Sequence, residues 1–224
     1  MNITRPVGVA FVCTLFLSIL STQTHAVLVY EQPWGGTVTG PFSQTQGNIP
    51  SNTQEIADNF TALDNWTISG VSWHGSYNGS PLPANSNVSF LLRIYSETNG
   101  LPAANPLYEQ SVLPTYTATT STSTLFGYEF SADLLSPFLL QSGSNYWLSI
   151  QDDDTGTPNY IWNGNVLGTG DGFAVRQAGA WAATDVTNIY DVTDRAFSLY
   201  TVPILPTLWL FGSGLLGLIG ITRH

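Results

Sequence analysis

Residues 65–77 read Asn65-Trp-Thr-Ile-Ser-Gly-Val-Ser-Trp-His-Gly-Ser-Tyr77. Apolar side chains alternate along this stretch, but the parity changes part-way. Trp66 and Ile68 share one parity; Val71 and Trp73 take the other, with Gly70 at the switch. Period-two alternation marks a half-buried strand, and a one-residue slip turns every apolar side chain toward water. A β-bulge at Gly70 repairs the parity, so one long, bent strand is expected here. Residues 89–95, Ser89-Phe-Leu-Leu-Arg-Ile-Tyr95, alternate without interruption: Phe90, Leu92 and Ile94 face one way and Arg93 the other.

Outward from these two stretches, short β-branched and aromatic runs recur at residues 27–30, 107–112, 125–130, 145–151, 160–162, 173–177, 180–183 and 195–200. Turn signals stand between them, among them Asn99-Gly100, Asn163-Gly164 and Asp171-Gly172. No window between the two ends of the chain carries a sustained helical period with caps. The pattern predicts roughly nine to eleven short strands. Antiparallel pairing tolerates such strands because one sheet face can stay wet. The expected fold is therefore all-β, an antiparallel two-sheet β-sandwich with a jelly-roll or immunoglobulin-like layout. The Thr/Ser-rich residues 115–124 read as an exposed loop or an edge strand.

The chain has 224 residues, of which 9% are charged; five Arg and no Lys stand against fifteen acidic residues, for a formal charge of −10. Such a chain repels phosphate backbones, which excludes a nucleic-acid partner. With 43% apolar residues and six Trp between residues 27 and 201, it has the means to bury a core. Its one Cys, Cys13, permits neither an intramolecular disulfide nor a Cys-based zinc site.

Both ends are set apart from this core. Arg5 precedes an almost wholly apolar run from Pro6 to Leu20, and Thr24-His25-Ala26 approximates a small-x-small cleavage site. Residues 1–26 are expected to be a secretory signal peptide cut after Ala26; an uncleaved anchor is disfavoured because the run is short. Residues 27–201 form the extracytoplasmic domain. Beyond it, Leu205 to Ile221 carries no charge and would span about 25 Å as a helix, the short end of a membrane crossing. Arg223 follows directly, which orients a single C-terminal transmembrane helix with its end in the cytoplasm.

Chemistry has few footholds. The only His between the two ends is His74, beside Trp73, and no Gly-x-Ser-x-Gly elbow occurs. Gly168-Thr-Gly-Asp-Gly172 lacks a Lys and reads as a hairpin turn, not a phosphate cradle. Glu31, Glu55, Glu97, Glu109 and Glu129 are available for a glycosidase-like carboxylate pair, which sequence cannot assemble. Asp152-Asp153-Asp154 ends a predicted strand. Asp152 and Asp154, two apart on an extended chain, are candidate calcium ligands, the alternative being a solvated turn. Trp34, Trp162 and Trp181 are candidates for a sugar-stacking platform if they share one exposed face.

One resemblance completes the reading. Val202-Pro-Ile-Leu-Pro206, then Trp209-Leu-Phe-Gly-Ser-Gly-Leu-Leu-Gly217 and Arg223, resembles the PEP-CTERM sorting tail of exported bacterial proteins. The tail differs in an extra residue between Pro203 and Pro206 and in a basic end of Arg223 and His224 only. More weakly, Ala57-Asp-Asn-Phe60 and Trp66 to Gly75 are similar to the opening strands of sandwich domains that such tails carry, and Tyr146 to Ile150 and Ala196 to Leu199 to later ones. The resemblance implies residues 202–224 as a sorting tail, with Val202, Pro203, Pro206 and Arg223 as its signal. It implies an exosortase-type membrane protease as partner and a place at the cell surface or in the exopolysaccharide matrix. It carries no catalytic residue and no cofactor. The expected protein is a non-enzymatic exported surface or matrix protein. The alternatives are a cell-surface carbohydrate-binding module, then a hydrolase, and for the tail a permanent anchor.

Overall fold

The computed structural model describes residues 26–36, 40–45, 54–82, 86–154, 159–165, 172–176, 179–183 and 194–201. Their strands are β1 (Val27–Gln32), β2 (Glu55–Thr61), β3 (Trp66–Asn78), β4 (Phe90–Thr98), β5 (Leu101–Pro102), β6 (Tyr108–Val112), β7 (Thr115–Ser121) and β8 (Leu125–Leu140), followed by β9 (Asn145–Asp152), β10 (Asn159–Trp162), β11 (Gly164–Asn165), β12 (Phe173–Arg176), β13 (Ala182–Ala183), β14 (Asp194–Arg195) and β15 (Phe197–Thr201). The protein is all-β, and every strand pairing is antiparallel.

Two sheets carry the architecture. The first runs β1-β15-β3-β8-β7, with β10 also on β3; the second runs β13-β12-β2-β9-β4-β5, with β6 also on β4. The main pairs are nested along the chain: β1 with β15, β2 with β9, β3 with β8, β4 with β6. They follow one long hairpin rolled so that successive segments join opposite sheets. Consequently the β2–β3 and β8–β9 loops, the β4–β6 connection, the start of β1 and the end of β15 all gather at one end of the sandwich. Val27 lies opposite Thr201 there.

The core sits between the sheets. From the first come Ile68, Val71, Trp73, Tyr77, Phe130 and Phe197; from the second, Ile56, Phe90, Leu92, Ile94, Leu148 and Ile150. The Trp73 indole stacks on Phe130 at 5.4 Å and meets Phe90 edge-on at 5.2 Å. Gly75 is required in this layer, because a Cβ there would fall 2.4 Å from the Tyr160 ring.

The long bent strand exists. Against β15 the register shifts between Tyr200 and Thr201, leaving Ser69 as the extra residue on β3, one place before the expected Gly70. The shift lets Ile68 and Val71 both point inward. On its other side β3 loses register with β8 at the same place, where β8 carries the surplus between Asp133 and Phe138.

Some expectations needed correction. Residues 125–130 are only the first third of β8. Asn163-Gly164 is no reversal: Asn163 donates its N–H to the His74 carbonyl at 3.0 Å, and β11 continues beyond it. Alternation did not mark β2, because Asp58 occupies an inward position between Ile56 and Phe60 and breaks the apolar face; only the resemblance set Ala57 to Phe60 among the opening strands. Residues 115–121 form an edge strand paired only with β8. Asn99-Gly100 does turn the chain, both residues having positive φ (54° and 76°). No helix among the described residues is long and apolar enough to cross a membrane. The predicted transmembrane segment 205–221 lies outside those residues.

Candidate functional site

The three tryptophans named for a sugar platform stand in three different places. Trp162 is fully buried on the core side, 6.1 Å from Phe197, and donates to the Ala196 carbonyl at 3.2 Å. Trp181 is buried against the outer face of the second sheet. Trp34 is half-buried and lies parallel to His74 at 4.5 Å, on the outer face of the first sheet. They therefore do not line one face.

His74 pairs across β3 and β8 with Glu129. Burial pulls its imidazole below the ordinary value, against the opposing pull of Glu129. Its Nδ1 is buried with no hydrogen-bond partner. An imidazole held neutral under an indole is suited to packing.

Asp152 is buried and bonded to protein groups. Its Oδ2 accepts from the Tyr77 hydroxyl at 2.8 Å, and its Oδ1 accepts the Asp154 N–H at 2.8 Å. That Asx-type turn uses the backbone of Asp154, while Asp153 accepts from Thr45 Oγ1 at 2.9 Å. Burial and the Asp152 charge both push the Tyr77 hydroxyl up. Among the described residues no group of three or more His, Cys, Asp or Glu side chains converges as a metal site. Ala26 is exposed immediately before β1. Val202, Pro203, Pro206, Arg223 and residues 168–171 lie outside the described residues.

The acidic residues are brought together in ways the sequence did not announce. On the outer face of the second sheet, Glu55 is buried between two arginines. Arg93 Nη1 lies 3.1 Å from Glu55 Oε1, and Arg176 Nη2 bonds Oε2. The Tyr95 hydroxyl donates to Glu55 Oε1 at 2.7 Å, and burial beside that carboxylate raises Tyr95 beyond the usual tyrosine range. Arg93 also holds Glu109, which is half-exposed. The Arg176 guanidinium lies 4.6 Å from the centre of the Trp181 ring. Ala57, Ala174 and Trp147 complete a small second core here. Glu55 and Glu109 are thus joined by a shared arginine and do not oppose one another across a cleft.

A second polar knot is fully inside. Asp58 Oδ2 accepts the Arg195 N–H, and Oδ1 accepts that of Asn59. The Arg195 guanidinium donates to the Trp162 carbonyl at 2.9 Å and lies 4.4 Å from the Phe173 ring centre. Burial drives the Asp58 carboxyl well above its ordinary value; nearby Asp194 adds to the rise, and the Arg195 backbone opposes it.

Above this knot opens a cleft of about 630 Å³, at the end of the sandwich where the chain enters and leaves. Tyr30, Asn59, Glu97, Asn145, Trp147 and Asp194 are among its lining residues. Asn145 Nδ2 donates to Glu97 Oε1 at 3.3 Å. Amides and carboxylates beside aromatic rings suit a hydroxyl-rich ligand, the amides and acids for its hydroxyls and the rings for its C–H faces. None of these residues was singled out as a group, because they come from β1, β2, β4, β9 and β14. No protein-family model matches the chain, and no curated protein matches it.

Proposed function

We propose that this is a non-enzymatic exported protein of the cell surface or extracellular matrix, sorted through its C-terminal tail by an exosortase-type membrane protease and associated with exopolysaccharide. One observation carries the reading. Val27 and Thr201 are neighbours in adjacent strands at one end of a closed sandwich, so the leader and the tail join the domain at the same place. The nested pairing of β1 to β15 supports the jelly-roll layout over the immunoglobulin-like one. The buried acids Glu55, Asp58 and Asp152 are held by internal partners, which supports structural duties for them.

Mass spectrometry of the protein from a host that has the protease tests this reading. The expected mature chain begins at Val27 and lacks His224. An intact His224 in fully exported protein overturns the sorting reading and leaves a permanent anchor.

The end cleft favours one second reading, a carbohydrate-binding module. Binding of neutral oligosaccharides on a glycan array, lost in Asn145→Ala, is the expected result. The same array with millimolar calcium tests the Asp152/Asp154 site, whose occupation would have to displace the Tyr77 hydroxyl.

A further inference from the structure

We propose that the end of the sandwich carrying both chain exits docks on a lipid surface of uncharged, zwitterionic headgroups. The proposal rests on reading residues 205–221 as a membrane span. Apolar side chains on a protein surface are ordinary when scattered, and significant when gathered. Seven large apolar side chains are conspicuously exposed among the described residues: Val27, Leu28, Leu63, Leu107, Leu113, Leu135 and Leu139. Five of them belong to this one end. Val27 and Leu28 start β1, Leu63 sits in the β2–β3 loop, Leu107 precedes β6, and Leu139 lies one residue from the end of β8. Their exposure runs from 46% at Leu28 to 79% at Leu63. Leu135 and Leu113 lie outside that end, side by side in a groove on the flank where β8 departs from β3. Half-buried Trp66 opens β3 at the same end, and Trp is a residue type that suits a membrane interface.

The length of chain beyond β15 says what covers this end. Only Val202, Pro203 and Ile204 separate Thr201 from Leu205. Fully extended, the four steps from Thr201 to Leu205 reach about 14 Å, and one headgroup layer takes up about 5–7 Å of that. A span at 205–221 therefore brings the leucine-bearing end to the membrane surface.

Charge selects the lipid. Arg93 and Arg176 are tied to Glu55, and Arg195 is buried, so none of the three is offered at this end. Asp64, Glu97 and Asp194 are the ionisable side chains that the described residues place at this end, and all three are acidic. Asp152, Asp153 and Asp154 lie at the far end of β9. Anionic headgroups would be repelled, and apolar contact with zwitterionic lipid would be indifferent to salt.

The test uses the chain as exported, residues 27–224 without the leader and therefore without Cys13, reconstituted in phosphatidylcholine vesicles and carrying an environment-sensitive fluorophore on Leu63→Cys, Leu139→Cys or Leu113→Cys. Nitroxide-labelled lipid should quench roughly half or more of the emission at 63 and 139, as for side chains entering about 5–10 Å, and leave 113 nearly unchanged. Raising the salt should not release the contact. Carbonate extraction reports separately on the span. A retained chain with no quenching at 63 and 139 overturns docking and keeps the span. Quenching in a chain that carbonate strips keeps docking and overturns the span. Absence of both overturns both. A blue shift at 63 without lipid quenching identifies a second copy as the occupant and overturns the proposal.

Discussion

On the outer face of the first sheet, Thr115, Thr117, Glu129, Ser131 and Asp133 are exposed to water. On the outer face of the second, Tyr95, Trp147 and Glu55 are buried, covered by Trp181 and two arginines. Both faces are built from the positions that period-two alternation assigns to solvent. Alternation decides which residues share a face; it does not decide whether the face away from the core stays wet. The second sheet offers a floor of small residues, Ala57, Ala174 and Ser149, in one cross-strand row with Arg93. Large rings from neighbouring positions can settle on such a floor. Once they do, the charges beside them lose solvent and must pair with each other.

The scale against which both faces are judged comes from the core they share. Trp73→Ala should destabilise the fold by about 3–5 kcal/mol, read from the urea midpoint and slope. A loss under about 1 kcal/mol would show that the sheets are not held by this layer.

Glu55→Ala should come next, at about 2–4 kcal/mol, because it strands two partly buried guanidinium groups and the Tyr95 hydroxyl together. Arg93 keeps Glu109, so the cost should fall short of losing a fully isolated pair. If double-mutant cycles of Glu55 with Arg176 show no coupling, the network is ornamental and the contrast between the faces fails.

Trp181→Ala should cost about 1–3 kcal/mol, below the core value, since the indole covers only one side of a sheet. The accompanying signature is solvent access at Tyr95. Its hydroxyl, pushed above the usual tyrosine range by burial and Glu55, should move back toward the ordinary 10, seen in an ultraviolet pH titration.

Asp58 provides a pH-dependent measurement. Its folded value is raised above the ordinary 3.8, so its contribution is fully present below that value and is lost as pH rises through the folded value. The difference in urea midpoint between the native protein and Asp58→Asn should therefore move in favour of the variant as pH rises above 4. A difference that stays flat shows that Asp58 ionises freely inside the fold.

The smallest effect belongs to the wet face. Glu129→Gln should change stability by less than about 0.5 kcal/mol. It also removes the charge that supports protonation of His74, so the imidazole should fall slightly further below its ordinary value in an NMR titration. A loss comparable with that of Glu55→Ala would erase the distinction between the two faces.

Period, turn chemistry and composition were enough to read the all-β class, the inward set Phe90, Leu92 and Ile94, and the parity switch in β3. These depend on neighbours along the chain, where a two-residue repeat and a left-handed Asn-Gly pair act locally. Strand β2 escaped the alternation, and was reached only through the resemblance, because Asp58 sits on an inward position and its partner Arg195 is 137 residues away. The three tryptophans scattered because their chemistry is alike in sequence, while the strand and the two loops that carry them lie in different parts of the sandwich. Asp152 and Asp154 suggested a metal because adjacent acids advertise ligands; that Tyr77 reaches Asp152 from the facing sheet is a contact between residues 75 apart, which adjacency along the chain does not reveal.

By itself the sequence determined the acidic, Lys-free character of the chain, the apolar segments at its two ends, and the alternation that makes its strands. Tertiary structure alone decided which acids are buried, which arginines meet them, and that Val27 and Thr201 close at one end beside Leu63 and Leu139. The reason is physical. Strand formation needs a local period, but burial, charge pairing and the gathering of loops at an end depend on which distant strands become neighbours. In a fold of nested pairs, that choice is made by every strand at once.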